Sequence, residues 1–182
     1  MWPTWVGQAV LPGGEAHNRA LAELAASGVP GNLFDENHAA ASWLRKQTVA
    51  ALAQWFEHAQ AVPAPGFRLE GRLESLGFGQ YRELANAPGA YVAGLYFVNA
   101  PAAPELDHLR SDSWPSHVSL YDPRVGFNAL ALEGDPNFNE SRTIAPAAGT
   151  LMLWPGYLRH CSRVHLAQSP WVRVALRVEL AS

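Results

Sequence analysis

Two histidines and two aspartates lie close together in the stretch Leu106-Asp107-His108-Leu109-Arg110-Ser111-Asp112-Ser113-Trp114-Pro115-Ser116-His117. Imidazole and carboxylate groups gathered in this way are the donors of a two-His, one-carboxylate metal face, which binds iron(II) and leaves its other positions open. His160 would supply a further imidazole. Within the stretch His117 is the best candidate because it opens a β-like run, with His108 and Asp112 behind it. The ordinary reading of the same residues is a solvated loop, since Asp, Ser, His and Pro are turn residues. Cys161 stands beside His160, yet neighbours on a strand point to opposite faces, so the two do not form a nucleophile pair. His17, His38, His58 and His165 fall in helical or loop contexts with no constellation around them, and no residue is assigned a catalytic role.

A chain of 182 residues, 48% hydrophobic and 16% charged, is long enough for one domain with a sizeable core. Its formal charge of −3 and a pI near 6.1 give no electrostatic footprint for nucleic acid or an anionic membrane. The pair Arg45-Lys46 sits in an amphipathic helical pattern and reads as a solvated face. One cysteine excludes an intrachain disulfide and a thiolate metal site. The opening residues have no basic region followed by a long apolar run, so a soluble, cytoplasmic protein is expected.

Two helical patterns come first. Ala16 to Ala26 repeats apolar residues at Leu21, Leu24 and Ala25 and stops before Ser27-Gly28, where glycine suits a left-handed cap. From Ala39 to Ala59, the residues Ala41, Leu44, Leu52, Trp55, Phe56 and Ala59 share one face, with Thr48 its polar member, and that face should pack on a sheet. After Pro63-Ala64-Pro65-Gly66 the chain changes to short β-like runs separated by turn residues. They are Phe67 to Leu76, Tyr91 to Val98, His117 to Tyr121, Asn128 to Leu132, Thr150 to Trp154 and Trp171 to Leu180. In the last, Val172, Val174, Leu176, Val178 and Leu180 alternate with Arg173, Ala175, Arg177 and Glu179, giving one apolar and one mixed face. The expected architecture is α+β in a single domain over 1–182: a helical region over 1–62 packed on a jelly-roll core over 63–182.

Four stretches carry a resemblance: Gly79-Gln80-Tyr81 through Ala93-Gly94-Leu95-Tyr96-Phe97, then Tyr121-Asp122-Pro123-Arg124, then Gly149 to Pro155, and Leu158-Arg159-His160 through Arg173-Val174-Ala175. In this order, and with the opening Trp2-Pro3-Thr4-Trp5-Val6, the chain resembles a small bacterial and phage group of 2-oxoglutarate- and iron(II)-dependent oxygenases, nearly end to end. The resemblance implies a double-stranded β-helix. It also implies iron held by a His-x-His-Pro or His-x-Asp pair and a distal His, with an arginine clamping the carboxylate of 2-oxoglutarate. An ungapped match puts Ala85 and Ala87 at the first two ligand positions, His160 at the third and Arg173 at the clamp. Ala93 and Ala175 stand where the group often has serines. The stretch 106–117 also looks longer than the group's usual link between strands.

Alanine cannot bind iron, and four positions around one pocket have become small and apolar together. The expectation is therefore a pseudoenzyme: an oxygenase scaffold serving as a binding or assembly module, with neither iron nor 2-oxoglutarate as cofactor and with a protein partner, a second copy or a small acid as ligand. The competing expectation is an active dioxygenase or hydroxylase using Fe(II) and 2-oxoglutarate, with the metal rebuilt from His160 and the 107–117 residues. Arg173 is open to a second reading, as a structural arginine paired with Glu179 or Asp122. Asp122-Pro123-Arg124 reads as a site element or as a turn, and Tyr81 and Tyr96 as core or rim aromatics. The phage members of the group raise a virion role, for which no residue here argues.

Overall fold

Helix α1, Gly14–Ser27, ends at Gly28, whose φ of 72° lets its backbone N–H reach the carbonyl of Ala25. Helix α2, Ala39–His58, buries Ala40, Ala41, Leu44, Thr48, Leu52 and Phe56 along one stripe, the face that its apolar spacing predicts. The computed structural model describes residues 4–29, 31–58, 66–102, 114–121 and 141–181. Among these, the helices and a short 3-10 turn at Leu33–Asp35 accompany two antiparallel sheets. No helix among the described residues is long and apolar enough to cross a membrane.

The larger sheet contains β1 (Gly7–Val10), β2 (Phe67–Leu76), β4 (Val92–Phe97), β7 (Thr150–Pro155) and β9 (Trp171–Leu180), ordered β1-β7-β4-β9-β2. The smaller contains β3 (Arg82–Ala85), β5 (Val118–Tyr121), β6 (Ser141–Ile144) and β8 (Arg159–Ser162), ordered β3-β8-β5-β6. One core cluster joins α1 and α2 to the larger sheet through residues such as Leu21, Leu44, Leu52, Val92, Leu153, Val174 and Val178. A second fills the space between the sheets with Leu76, Leu95, Phe97, Val118, Leu120, Met152, Trp154 and Trp171. The layers are thus helices, larger sheet, smaller sheet.

Strands β2 and β9 pair along their full length, from Phe67 opposite Leu180 to Leu76 opposite Trp171. Residues directly opposite in a ladder share a face, so Glu74 and Arg173 are set side by side by the backbone itself. At Gly71 a Cβ would lie 2.7 Å from the Phe34 ring, so only glycine lets the 3-10 turn sit against β2. The Asn32 side chain fixes that turn by accepting from the backbone N–H groups of Gly71 (2.8 Å) and Phe34 (3.2 Å).

Strand β1 lies in the segment expected to hold helices alone, and β3, β6 and β8 are not among the expected β-like runs, although His160 and Cys161 of β8 read as strand neighbours. Each is four residues long. They lack the alternating apolar pattern that marks a half-buried strand; all four β3 residues, Arg82 to Ala85, are exposed. The expected run Asn128 to Leu132 lies outside the described residues.

Candidate functional site

Between the two sheets lies a cavity of about 1030 Å³, walled by β2, β4 and β9 on one side and by β3 and β8 on the other. It is the mixed face of β9 that looks into it, through Arg173, Ala175 and Arg177. At its inner end Arg173 is only 2% exposed. Its Nε donates to Oε2 of Glu74 at 2.9 Å, and its Nη2 lies 2.8 Å from the same oxygen. Its Nη1 donates to the Ser162 hydroxyl on β8, and its guanidinium lies 4.9 Å from the centre of the Trp171 ring. The other Glu74 oxygen, Oε1, accepts from Arg82 Nε on β3 at 3.2 Å. One carboxylate therefore links an arginine of the larger sheet to an arginine of the smaller.

Burial and pairing act against each other in this cluster. Burial alone would raise the Glu74 carboxyl, but the charge and hydrogen bonds of Arg173, with those of Arg82, outweigh it and hold the group below its ordinary value. For Arg173 burial is the larger influence and lowers the guanidinium despite Glu74, although an arginine stays cationic at any working pH.

His160 stands on β8 opposite Ala85 of β3 on one side and opposite Leu120 of β5 on the other. Its ring meets the edge of Trp154 at 5.0 Å. Its Nδ1 lies 3.3 Å from the Leu158 carbonyl, so the ring proton belongs on Nδ1 and the lone pair on Nε2. Burial holds His160 below its ordinary value; the nearby charge of Arg173 acts the same way, while the Leu158 carbonyl and Glu74 oppose it. The ring is a neutral imidazole at pH 7.

Ala85, Ala87, Ala93 and Ala175 line this same cavity with His160 and Arg173. Ala85 is exposed, Ala87 and Ala175 are half-buried, and Ala93 is buried in the core between the sheets. His117 is not brought to the site. It directly precedes β5 and does not line the cavity. It bonds the Pro115 carbonyl through Nδ1 (2.7 Å) and meets the Trp114 ring. Asp107, His108 and Asp112 lie outside the described residues, as do Asp122 and Arg124. Cys161 faces away from His160, paired opposite Ser119, and Tyr96 is a core residue whose hydroxyl donates to Asn18 at 2.6 Å. Tyr81 is an exposed aromatic at the cavity mouth.

The carboxylate partner of Arg173 is Glu74 rather than Glu179, which instead accepts from Arg177 at 2.7 Å. Sequence reasoning missed Glu74 and Ser162. The signal for Glu74 was present: Arg68, Glu70, Arg72 and Glu74 occupy every second position of β2, a charged face that must meet the mixed face of β9. Ser162 sits on one of the short polar strands and carried no such mark.

In fold the chain is similar to a prolyl-4-hydroxylase of Pseudomonas putida, with 14% identity and a TM-score of 0.61 over 98% of this chain and 89% of that one. It is similar also to a prolyl hydroxylase of Trichoplax adhaerens solved with a hypoxia-inducible-factor peptide fragment, with 14% identity and a TM-score of 0.67 over 96% and 83% of the two chains. A third is HygX of Streptomyces hygroscopicus, solved with nickel and 2-oxoglutarate, with 14% identity and a TM-score of 0.60 over 98% and 83%. No family model and no curated protein sequence matches the chain. The class that emerges is one of fold: helices on antiparallel sheets, as in structures of 2-oxoglutarate- and iron(II)-dependent oxygenases.

The described side chains beside His160 do not complete an iron(II) site. A facial site needs three donors, and here His160 has methyl groups at Ala85 and Ala87 beside it on the cavity wall. Among the described residues, no three His, Cys, Asp or Glu side chains are grouped closely enough to hold a metal ion. Nor does Arg173 offer a vacant fork to an oxoacid, because Glu74 occupies it.

Proposed function

We propose that this chain is a ligand-binding module on a double-stranded β-helix, an oxygenase scaffold without oxygenase chemistry. The observation that carries this reading is the pair Ala85 and Ala87 on the cavity wall beside His160. A methyl group has no lone pair, so a metal at this place would keep a single donor from the set. The loss of polarity extends to Ala93 and Ala175 on the opposite wall. We read all of residues 1–182 as one domain, with the two sheets as the facing walls of the jelly roll.

The open cavity favours binding over pure assembly. Its volume of about 1030 Å³ matches the upper end of small-molecule sites, whereas a scaffold kept only for contact with a partner or a second copy has no use for the space. Its interior is apolar at Leu95, Trp154 and the alanines, and its rim carries both signs, Arg68, Arg72 and Arg177 together with Asp35, Glu70 and Glu83. Arg72, which lines the mouth opposite Ala175, makes no ion pair among the described residues. These features suit an apolar ligand bearing an anionic group that stays near the rim.

Iron(II) affinity, measured anaerobically with and without 2-oxoglutarate, tests the reading in the wild type, in His160→Ala and in His117→Ala. The expected result is no stoichiometric iron in any of the three. Placing donors at the two alanine positions, as Ala85→His with Ala87→Asp, is expected to create metal binding that the wild type lacks. Stoichiometric iron in the wild type that disappears in His160→Ala would overturn the proposal and restore the dioxygenase.

A further inference from the structure

We propose that Glu74 is a built-in carboxylate ligand of Arg173, which keeps the inner end of the cavity closed to external carboxylates and whose removal opens a carboxylate-binding site. The ladder puts the two residues directly opposite each other, so their contact is fixed by backbone pairing and not by chance meeting of two long side chains. Two guanidinium nitrogens converge on one Glu74 oxygen, Nε at 2.9 Å and Nη2 at 2.8 Å. It is a charge-assisted contact of the kind that holds a carboxylate on an arginine, with the second carboxylate oxygen given to Arg82 instead of to Arg173. On its remaining sides the guanidinium donates to Ser162 and lies against the Trp171 ring, which leaves its side chain 3% exposed. An external carboxylate would have to displace Glu74 and accept its charge as a close neighbour.

Electrostatics make the site latent rather than lost. Glu74 places one negative charge between two cations, Arg173 and Arg82. Without that carboxylate both cations remain, and the inner one is a buried charge with no partner, a strongly unfavourable arrangement. The rest of the wall offers no replacement, since alanine has no charge and His160 is neutral. A ligand carboxylate is then the group that best restores the pair, and its binding is linked to folding. The inference rests on the reading that this cavity binds rather than oxidises, but its test does not involve metal.

The experiment uses Glu74→Ala and Glu74→Gln with chelator present throughout. Thermal melting and calorimetric titration are followed with propionate and glutarate, against potassium chloride of matched ionic strength. Propionate matches the whole glutamate side chain from Cβ onward, of which Glu74→Ala removes the carboxymethyl part, and glutarate tests a longer diacid. The expected result is that both carboxylates raise the melting temperature of Glu74→Ala beyond chloride. They should also bind at least about tenfold more tightly than to the wild type, as re-pairing a buried charge requires. The gain should vanish when Arg173→Met is added. A purely structural role for Glu74 predicts destabilisation with no carboxylate-specific rescue, and that outcome overturns the proposal. Equal affinity in wild type and Glu74→Ala overturns it as well. If Glu74→Ala does not fold, Glu74→Ser, which vacates the same space, decides by the same comparison, while Glu74→Gln, whose amide refills that space, should gain no affinity for either carboxylate. Iron binding by the wild type would count against the proposed function without deciding this inference.

Discussion

On β9, Val172, Val174 and Val178 pack toward the helices, whereas Arg173, Ala175 and Arg177 look into the cavity. One ten-residue strand thus carries two kinds of surface. The helix side is held by apolar area withdrawn from water, which is non-directional and spread over many residues. On the cavity side β9 adds Trp171 to the apolar core between the sheets, and the charged cluster Arg82–Glu74–Arg173–Ser162 ties the sheets together beside that core. The difference separates what keeps the chain folded from what is left to meet a ligand, and it predicts how each face fails.

The largest effect is expected from the cluster. Glu74→Ala strands Arg173, and breaking a buried pair from one side costs about 3–5 kcal/mol. Arg173→Met should cost less, because Glu74 then keeps Arg82 and has some access to water. Next comes the packed face, where Leu52→Ala removes a fully buried side chain and should lose about 2–5 kcal/mol. Urea denaturation measures all three. If Glu74→Ala costs no more than an exposed substitution, the cluster adds nothing to the apolar core between the sheets, and the contrast between the faces collapses.

Acid should dissect the cavity face in two stages. His160 is held below its ordinary value of 6.5, so the unfolded chain takes up that proton first. Its contribution is complete above pH 6.5 and is lost as pH falls toward the lower folded value. Glu74 is held below its ordinary 4.5, so its contribution is complete above pH 4.5 and is lost as pH falls through the depressed value. The expected profile declines first below pH 6.5 and again below pH 4.5. His160→Gln should remove the first decline and Glu74→Gln the second. A first decline that survives in His160→Gln would show that His160 is not the group responsible.

The packed face was readable from sequence because burial leaves a periodic signature. The stripe of α2 and the alternation of β9 set both elements to within a residue or two, and the cap at Gly28 followed from the same logic. On the cavity face, local pattern failed for β3 and β8, whose polar or exposed residues are strands because of their long-range partners. The four alanines and His160 were placed by resemblance, and the structure sets them around one cavity. His117 was chosen because it opens a β-like run, which fixes position along the chain but not the face; it directly precedes β5, bonds the Pro115 carbonyl and does not line the cavity. Glu74 was overlooked because the alternating charges of β2 were not matched against β9, although strand pairing is the step that turns two charged faces into an ion pair.

The smallest expected effect is the one that tests whether the cavity is open in solution. Ala175 is half-buried, packs lightly at the edge of the core between the sheets, and lines the cavity opposite Arg72. In Ala175→Ser a hydroxyl is added to that wall. If water reaches the wall the hydroxyl is solvated, and stability should change by no more than about 0.5 kcal/mol, as for surface positions. If the sheets close over the position, the same hydroxyl is buried without a partner and should cost about 1–3 kcal/mol. Urea denaturation of this variant separates the two cases. A large loss would mean that the cavity face is packed as the helix face is, and a binding role would then have no room to operate.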